Sequence, residues 1–416
     1  MRILMVTSLL PHPNATSGGA LVMYGQLAVL VARHRVTLAT FAGADAVESR
    51  GIKDLRALGI DVHYISRSWP SGTELWRRRL RDATAWLRGG RPLRALQFFD
   101  QRMQRLLDQL LSEGPFDVLQ VEDNAMGNYS YRTQIPTVFT EHEVRSTLPP
   151  QQEDPVKTNW IQRTLSEAER QRWQEYQPAV WRRFNRIQAF TPRDATAIQT
   201  MAPELANRVR LNSFGVEIPK AADPSCEEPG TVVFTGAFGH RPNVDAALWL
   251  GREIMPRLRI LHRGVRLIIV GTSPTKSIRA LASKDVVVTG EVPAVEPFLE
   301  RAAVVLAPLR NGGGMRVKVL QAMALGKAVV TTPVGAEGLS ATGLEPPVAL
   351  AKDAEEIARS TAALLASRDT RHALGRHARR FVAKHHTWQA YGQRLEAIYA
   401  ELQSIDRLTC RHGAAG

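Results

Sequence analysis

Cysteine is almost absent. The 416-residue chain has two, Cys226 and Cys410, and neither belongs to a Cys/His cluster at metal-ligand spacing. That excludes a disulfide framework, and a reducing compartment, the cytoplasm, is the expected location. No metal site is expected either. No Walker loop, nucleophile elbow or kinase signature occurs, so those chemistries lose their usual markers. No uncharged stretch is long enough to span a bilayer, so the chain can lie on a membrane but not cross it. The apolar run Ile3–Leu10 is short and ends in Pro11-His12-Pro13 without a small-residue cleavage site. It reads as a buried first strand rather than a signal.

What is present is ordinary for a globular protein: 44% hydrophobic and 23% charged residues, over a length that implies two or three domains. The net charge of +14 suits an anionic partner: nucleic acid, anionic lipid or a phosphorylated small molecule. A nucleic-acid reader would need a groove-reading motif, and none is found, so no nucleic-acid partner is expected.

Short apolar runs alternate with helical periodicity throughout, which predicts parallel sheets covered by helices, an α/β fold. In the first half the strands are expected at Arg2–Thr7, Val36–Phe41, Val62–Ile65, Asp117–Val121, Thr137–Thr140 and Arg186–Phe190. A helix is expected over Ala20–Arg33. Residues 213–230 hold Pro219, Pro224 and Pro229 without periodicity and read as a linker. The rhythm then restarts, with strands at Thr231–Thr235, Val265–Val270, Val286–Thr289, Val304–Ala307 and Ala328–Thr332. Asn243 is placed to cap a helix running to Leu258, and Met315–Leu325 is a second helix.

The strongest local signal is the run Leu306–Lys327. A strand ends, Gly312, Gly313 and Gly314 make a turn, and a helix opens with Met315, Arg316 and Lys318. Glycines let backbone approach a ligand, and a helix N-terminus presents unpaired N–H groups and partial positive charge. Cations there oppose the helix dipole, and an anion would offset that cost. The arrangement suits a diphosphate; a tight turn with two solvated cations is the competing reading. A weaker phosphate-cradle pattern follows the first strand at Ser17-Gly18-Gly19. His142 lies just past a strand end, where open α/β sheets bind ligands, and can hold a proton or a hydroxyl. A surface histidine on a charged loop is the alternative, and Asp123 and Asn124 pose the same question. Residues 67–105 hold ten arginines against three acids, with Trp69, Trp76, Trp86, Phe98 and Phe99 among them. Trp76, Leu80, Ala83 and Leu87 share a helical face. This basic amphipathic helix either rests on an anionic membrane surface or packs its apolar face on the sheet.

These residues together resemble glycosyltransferase family 4, the retaining GT-B enzymes. Gly312–Thr332 is similar to the family's signature block, and Arg241–Ala246 to the first loop and helix of its donor domain. Phe139–Arg145 is similar to the acceptor-domain loop with its histidine, Arg210–Ile218 to the segment leading into the linker, and Thr387–Leu402 to the terminal helix. The resemblance implies two Rossmann-like domains with parallel sheets facing across a cleft. Residues 1–212 would bind the acceptor and 231–386 the nucleotide sugar, with 213–230 as linker and 387–405 as a helix returning to the first domain. Arg316 and Lys318 would hold the donor diphosphate, Gly18 and Gly19 would approach it, and Arg241 is a weaker phosphate candidate. His142 would face the reacting sugar. No cofactor beyond the nucleotide-sugar co-substrate is implied, and no metal, because protein cations and helix dipoles stabilise the leaving diphosphate.

One departure from the family stands out. Many members carry two glutamates where this chain has Gly313 and Gln321. The first would touch the donor sugar and the second the ribose. Gln321 can still hydrogen-bond a ribose, though charged bonds are about twice as strong. The expected function is transfer of a hexose from a nucleotide-diphosphate sugar to a glycan or lipid-linked acceptor. A degenerate GT-B protein that binds without turnover is the alternative. A sugar-nucleotide epimerase on the same fold would need acid/base carboxylates that are not apparent.

Overall fold

The computed structural model describes residues 1–413 apart from 14, 16–17, 44, 68–71, 146–159 and 341–343. Ser17 and Trp69 therefore lie outside the described residues. The chain divides into two compact units, Met1–Asn212 with Tyr391–Gly416, and Ser213–Ala390.

The first unit is built on seven parallel strands: β1 (Arg2–Val6), β2 (Arg35–Ala42), β3 (Asp61–Ser66), β4 (Val118–Glu122), β5 (Thr137–Glu141), β6 (Arg186–Ala189) and β7 (Val209–Leu211). Their order is β3-β2-β1-β4-β5-β6-β7. The apolar run at the N-terminus supplies β1, in the middle of the sheet, where Ile3, Leu4, Met5 and Val6 have no exposed surface. A strand covered on both faces needs such a continuous apolar run. The chain winds outward from β1 to β3 and then returns to β4, so strand order reverses between β1 and β4. The crevice beyond the strand ends at such a reversal is where open α/β sheets bind ligands.

The second unit repeats the plan with six strands: β8 (Thr231–Thr235), β9 (Arg266–Val270), β10 (Val286–Gly290), β11 (Val304–Ala307), β12 (Ala328–Thr331) and β13 (Ala349–Leu350). Their order, β10-β9-β8-β11-β12-β13, reverses between β8 and β11. Val232, Phe234, Leu267, Leu306 and Val330 are buried in its core. Residues 213–230 fall within this unit, with a short 3-10 turn at Pro224–Cys226 and an isolated bridge from Val216 to Thr387. The final helix, Trp388–Gly413, begins in the second unit; from Tyr391 onward it belongs to the first, where Tyr391, Leu395, Tyr399 and Leu402 are buried. Among the described residues no helix is long and apolar enough to cross a membrane.

Three local expectations are corrected. The helix expected to be capped by Asn243 starts earlier, at Arg241, with His240 in the cap position. Pro242 explains the shift, because its fixed φ suits a first turn and it needs no hydrogen-bonded N–H there. The helix expected over Met315–Leu325 spans Val317–Ala324, and Arg316 is its N-cap residue, with φ −98°. Gly312 and Gly314, at φ 99° and 76°, hold the chain in a left-handed turn that postpones the helix. The helix expected over Ala20–Arg33 spans Gly18–Val31, so Gly18 and Gly19 are its first two residues.

The basic segment departs from one of its two expected arrangements. The Gly72–Arg88 helix leaves Trp76, Leu80 and Leu87 about 70% exposed, at 71%, 68% and 71%. Its apolar stripe does not pack on the sheet. Instead Trp86 donates to Glu169 at 2.6 Å and lies under the Arg172 guanidinium, and Asp82 is buried between arginines.

Candidate functional site

In the second unit the glycine turn after β11 and the loop after β8 converge on Lys318. Its ammonium donates to Asn243 Oδ1 at 2.6 Å and sits 4.7 Å from the Phe234 ring centroid. Asn243 is fixed in turn, its Nδ2 donating to the Ala237 carbonyl at 2.8 Å. Its role is thus to tie the β8 loop to Lys318 rather than to cap a helix. Gly236 lets the loop pass close to both: a Cβ there would lie 3.1 Å from Asn243 and 3.2 Å from Lys318 Nζ. Half-buried in this setting, Lys318 is held at about 7 by desolvation and by the nearby Arg316 charge. A lysine so placed favours a bound anion, which would restore its charge.

Arg316 is buried between its own loop and the segment that follows β12. It donates to the carbonyls of Gly313 at 2.6 Å and Val334 at 3.2 Å, and pairs with Glu337 at 3.6 Å. It therefore shapes the glycine turn that leads into the helix. Met315, beside it, is packed at 9% exposure. Arg241 is exposed at the start of its helix, and Gln321 is exposed on the Val317–Ala324 helix. Gln321 is consequently not a core-packing residue.

In the first unit the strand reversal gathers a second cluster. His142 directly follows β5, and its Nε2 lies 2.7 Å from Glu122 Oε2 at the end of β4. The histidine side chain is 17% exposed and Glu122 is fully buried, so the surface-loop reading of His142 fails. Glu122 Oε1 accepts from Gln120 at 2.6 Å and Thr140 at 2.7 Å. Tyr399, from the final helix, donates to Gln120 Oε1. Burial alone would lower the His142 pKa, but the Glu122 bond and charge, then Asp123 and Glu141, outweigh it and raise it. Nε2 is thus committed to Glu122.

Asp123 is the next residue of this cluster. It has φ 72°, a left-handed conformation that Asp tolerates better than most residues. It accepts from Ser8, just past β1, at 3.0 Å, and pairs with Arg94 at 3.1 Å. Burial works against its charge, yet Arg94, His142 and Arg145 hold its pKa down at about 2. Behind it, buried Glu141 accepts from Asn124, Glu143 N, Gln177 and Trp181, while burial pushes its pKa up to about 8. Gly18 and Gly19 open the helix after β1, and a Cβ on Gly18 would meet no atom within 4 Å.

The structure thus brings Lys318 and Arg316 together with the glycine turn in the second unit. His142 is joined to Asp123 in the first. Sequence reasoning missed Glu122, Ser8, Arg94 and Gly236. The signal for Glu122 was available: Gln120 and Glu122, two apart, put polar groups on one face of a strand otherwise apolar. Among the described residues no group of three His, Cys, Asp or Glu could hold a metal ion.

Residues 229–367, about a third of the chain, match the family model for glycosyl transferases group 1. Among solved structures, sucrose-phosphate synthase from Thermosynechococcus elongatus is 14% identical with a TM-score of 0.69, over 97% of this chain and 99% of that one. HepE from Anabaena, in complex with UDP and glucose, is 14% identical with a TM-score of 0.64, over 96% and 100%. TarM is 11% identical with a TM-score of 0.66, over 96% and 98%. A comparison with curated protein sequences finds no match. At these identities the structures establish the fold, and the family model covers the unit that holds Lys318. The chain has the GT-B fold, and its second unit holds the segment that matches the group 1 glycosyl transferase model.

Proposed function

We propose that the protein is a retaining glycosyltransferase of family 4. It moves a sugar from a nucleotide-diphosphate donor to a glycan or lipid-linked acceptor in surface polysaccharide or glycoconjugate synthesis. The observation that carries this reading is Lys318, tied to Asn243 beside a left-handed glycine turn and held at about 7, inside the segment matching group 1 glycosyl transferases. Donor-bound neighbours agree: the HepE structures hold UDP and UDP-glucose, and a TarM structure from S. aureus holds UDP.

In this reading the second unit binds the donor. Lys318 neutralises the diphosphate, the Gly312–Gly314 turn and the N–H groups that follow it cradle the phosphate oxygens, and Arg316 holds that turn in shape. Arg241 and Gln321, both exposed, reach the phosphate and the ribose. The first unit binds the acceptor, with His142 presenting Nδ1–H to the reacting sugar while Glu122 fixes its orientation. Gly18 and Gly19 offer backbone at the opening of their helix. The acceptor oxygen bonds to the anomeric carbon, the bond from that carbon to the diphosphate breaks, and the acceptor proton passes to the leaving phosphate oxygen. Protein cations stabilise that charge, so no metal is required. The exposed stripe Trp76, Leu80 and Leu87, flanked by arginines, docks the first unit on an anionic membrane surface in the cytoplasm.

Thermal-shift screening of UDP, GDP and ADP sugars should find one donor class that stabilises the protein. That donor, with a matched acceptor, should yield product that Lys318→Ala loses. Gly313 and Gln321 favour the second reading, a binder without turnover. Nucleotide binding with no product from any acceptor would select it.

A further inference from the structure

We propose that a cavity in the first unit, between the Gly72–Arg88 and Leu93–Gln97 helices, binds the phosphate or diphosphate group of a phosphorylated acceptor. The word acceptor rests on the transfer reading above; the phosphate site itself does not. The cavity measures about 720 Å³ and is lined by Arg67, Arg77, Arg78, Arg81, Arg91 and Arg102. Three carboxylates line it as well, and two of them are already engaged: Asp82 with Arg78 and Arg81, and Asp100 with Arg102.

The arginines are arranged, not merely numerous. Arg67 and Arg78 converge on one neutral acceptor, the Gln97 carbonyl, at 3.1 and 2.6 Å. The Arg67 guanidinium is fixed 4.0 Å from the Phe98 ring centroid. Burial, then the like charges of Arg78 and Arg94, push its pKa down to about 10, as expected where cations are crowded. Arg91 is oriented by Asn128 at 2.8 Å. Planar forks held in place match phosphate oxygens bidentately, which solvated surface arginines do not. Phe41, Phe98 and Phe99 add an apolar wall for the rest of the molecule. Arg94 links the cavity to the His142 cluster: it lies 5.5 Å from the Phe98 ring centroid and pairs with Asp123.

The test is calorimetric titration of inorganic pyrophosphate into the full chain and four variants. Wild type should bind at two sites, and Lys318→Ala should keep only the cavity. Arg67→Gln/Arg78→Gln should weaken the cavity site tenfold or more while nucleotide-sugar binding stays intact. Arg77→Gln/Arg81→Gln, at exposed positions and with unchanged Tm as the check on folding, should weaken it in the same direction. Adding Lys318→Ala to this last pair should leave little binding. Phosphatidylcholine vesicles doped with phosphatidic acid then separate the sources. Competition with pyrophosphate assigns a lipid-borne phosphate, and its absence assigns a soluble one. Pyrophosphate affinity unchanged in both arginine pairs overturns the site, even if sugar transfer is intact. A protein that transfers no sugar yet loses pyrophosphate binding in both pairs keeps the site and refutes only the transfer reading.

Discussion

Raising the pH should loosen the donor diphosphate by discharging Lys318. The ligand-free ammonium titrates near 7, because desolvation and the Arg316 charge oppose protonation. A diphosphate beside it reverses both effects and holds the proton to higher pH. Binding is therefore strongest below 7, where the free protein is already protonated, and weakens as pH rises, because complex formation must then recruit a proton. Each unit of pH above the free pKa costs about 1.4 kcal/mol until the bound pKa is reached. Between pH 6 and 8.5 the donor Kd should rise about 30-fold, or about 2 kcal/mol. A nucleotide sugar is the right probe, since its doubly esterified diphosphate does not itself titrate over this range.

Calorimetry at fixed ionic strength reads this directly, with Lys318→Arg as the control. Arginine stays charged throughout, so the variant's Kd should be nearly flat. A flat wild-type profile, or the same slope in Lys318→Arg, would refute the assignment of Lys318 to the diphosphate. The ligand-free protein should show the opposite trend. The unfolded chain binds a proton that folded Lys318 does not between about 7 and the ordinary lysine range. Stability should therefore rise with pH across that window, and Lys318→Met should lose this component of the rise in Tm.

Glu122→Gln should lower the His142 pKa and cut turnover about tenfold to a hundredfold, the worth of a charge-assisted bond; donor Kd should be unchanged and the pH profile displaced downward, a displacement that a purely structural role would not produce. Gln321→Ala should weaken donor binding, whereas Gln321→Glu should preserve it or strengthen it by about 1 kcal/mol; indifference to both would remove Gln321 from the ribose site. Transfer should continue in excess EDTA, and specific loss restored by manganese or magnesium would replace the cation-only account of the leaving group. Asp123→Ala should destabilise the fold by about 2–4 kcal/mol, because Arg94 loses its partner and alanine tolerates a left-handed φ poorly; Asp123→Asn should cost less in denaturant titration.

The fold was legible because its signals are local. β1 from Ile3 onward and β11 are continuous apolar runs, as a strand buried on both faces tends to be. Helix starts were less legible where two local rules compete. Asn243 has a good capping side chain, but Pro242 before it already satisfies the first turn. The amide then finds a better partner in Lys318. At Gly312 and Gly314 the same glycines that marked the site delayed the helix expected to begin at Met315.

The candidate site divides along a similar line. The glycine turn with Lys318 could be read because its parts lie within a few residues of one another. The His142 cluster could be read only in part: His142 and Asp123 stand out at strand ends, but Ser8, Arg94, Glu122 and His142 come from four separate segments that meet only after the sheet has formed. Nor does sequence reveal which arginine of a basic run is spent on structure. Arg316 reads as a ligand group in the sequence; in the packed unit its guanidinium is bonded to the carbonyls of Gly313, in its own turn, and of Val334, beyond β12. Nothing in the spacing of the basic run sets Arg67 and Arg78 apart, yet they are half-buried and share one carbonyl. A cation's worth to a ligand depends on how much protein already holds it, and that is a property of the packed unit rather than of spacing. Lys318, with one neutral amide and an aromatic face for partners, keeps the most to offer an anion.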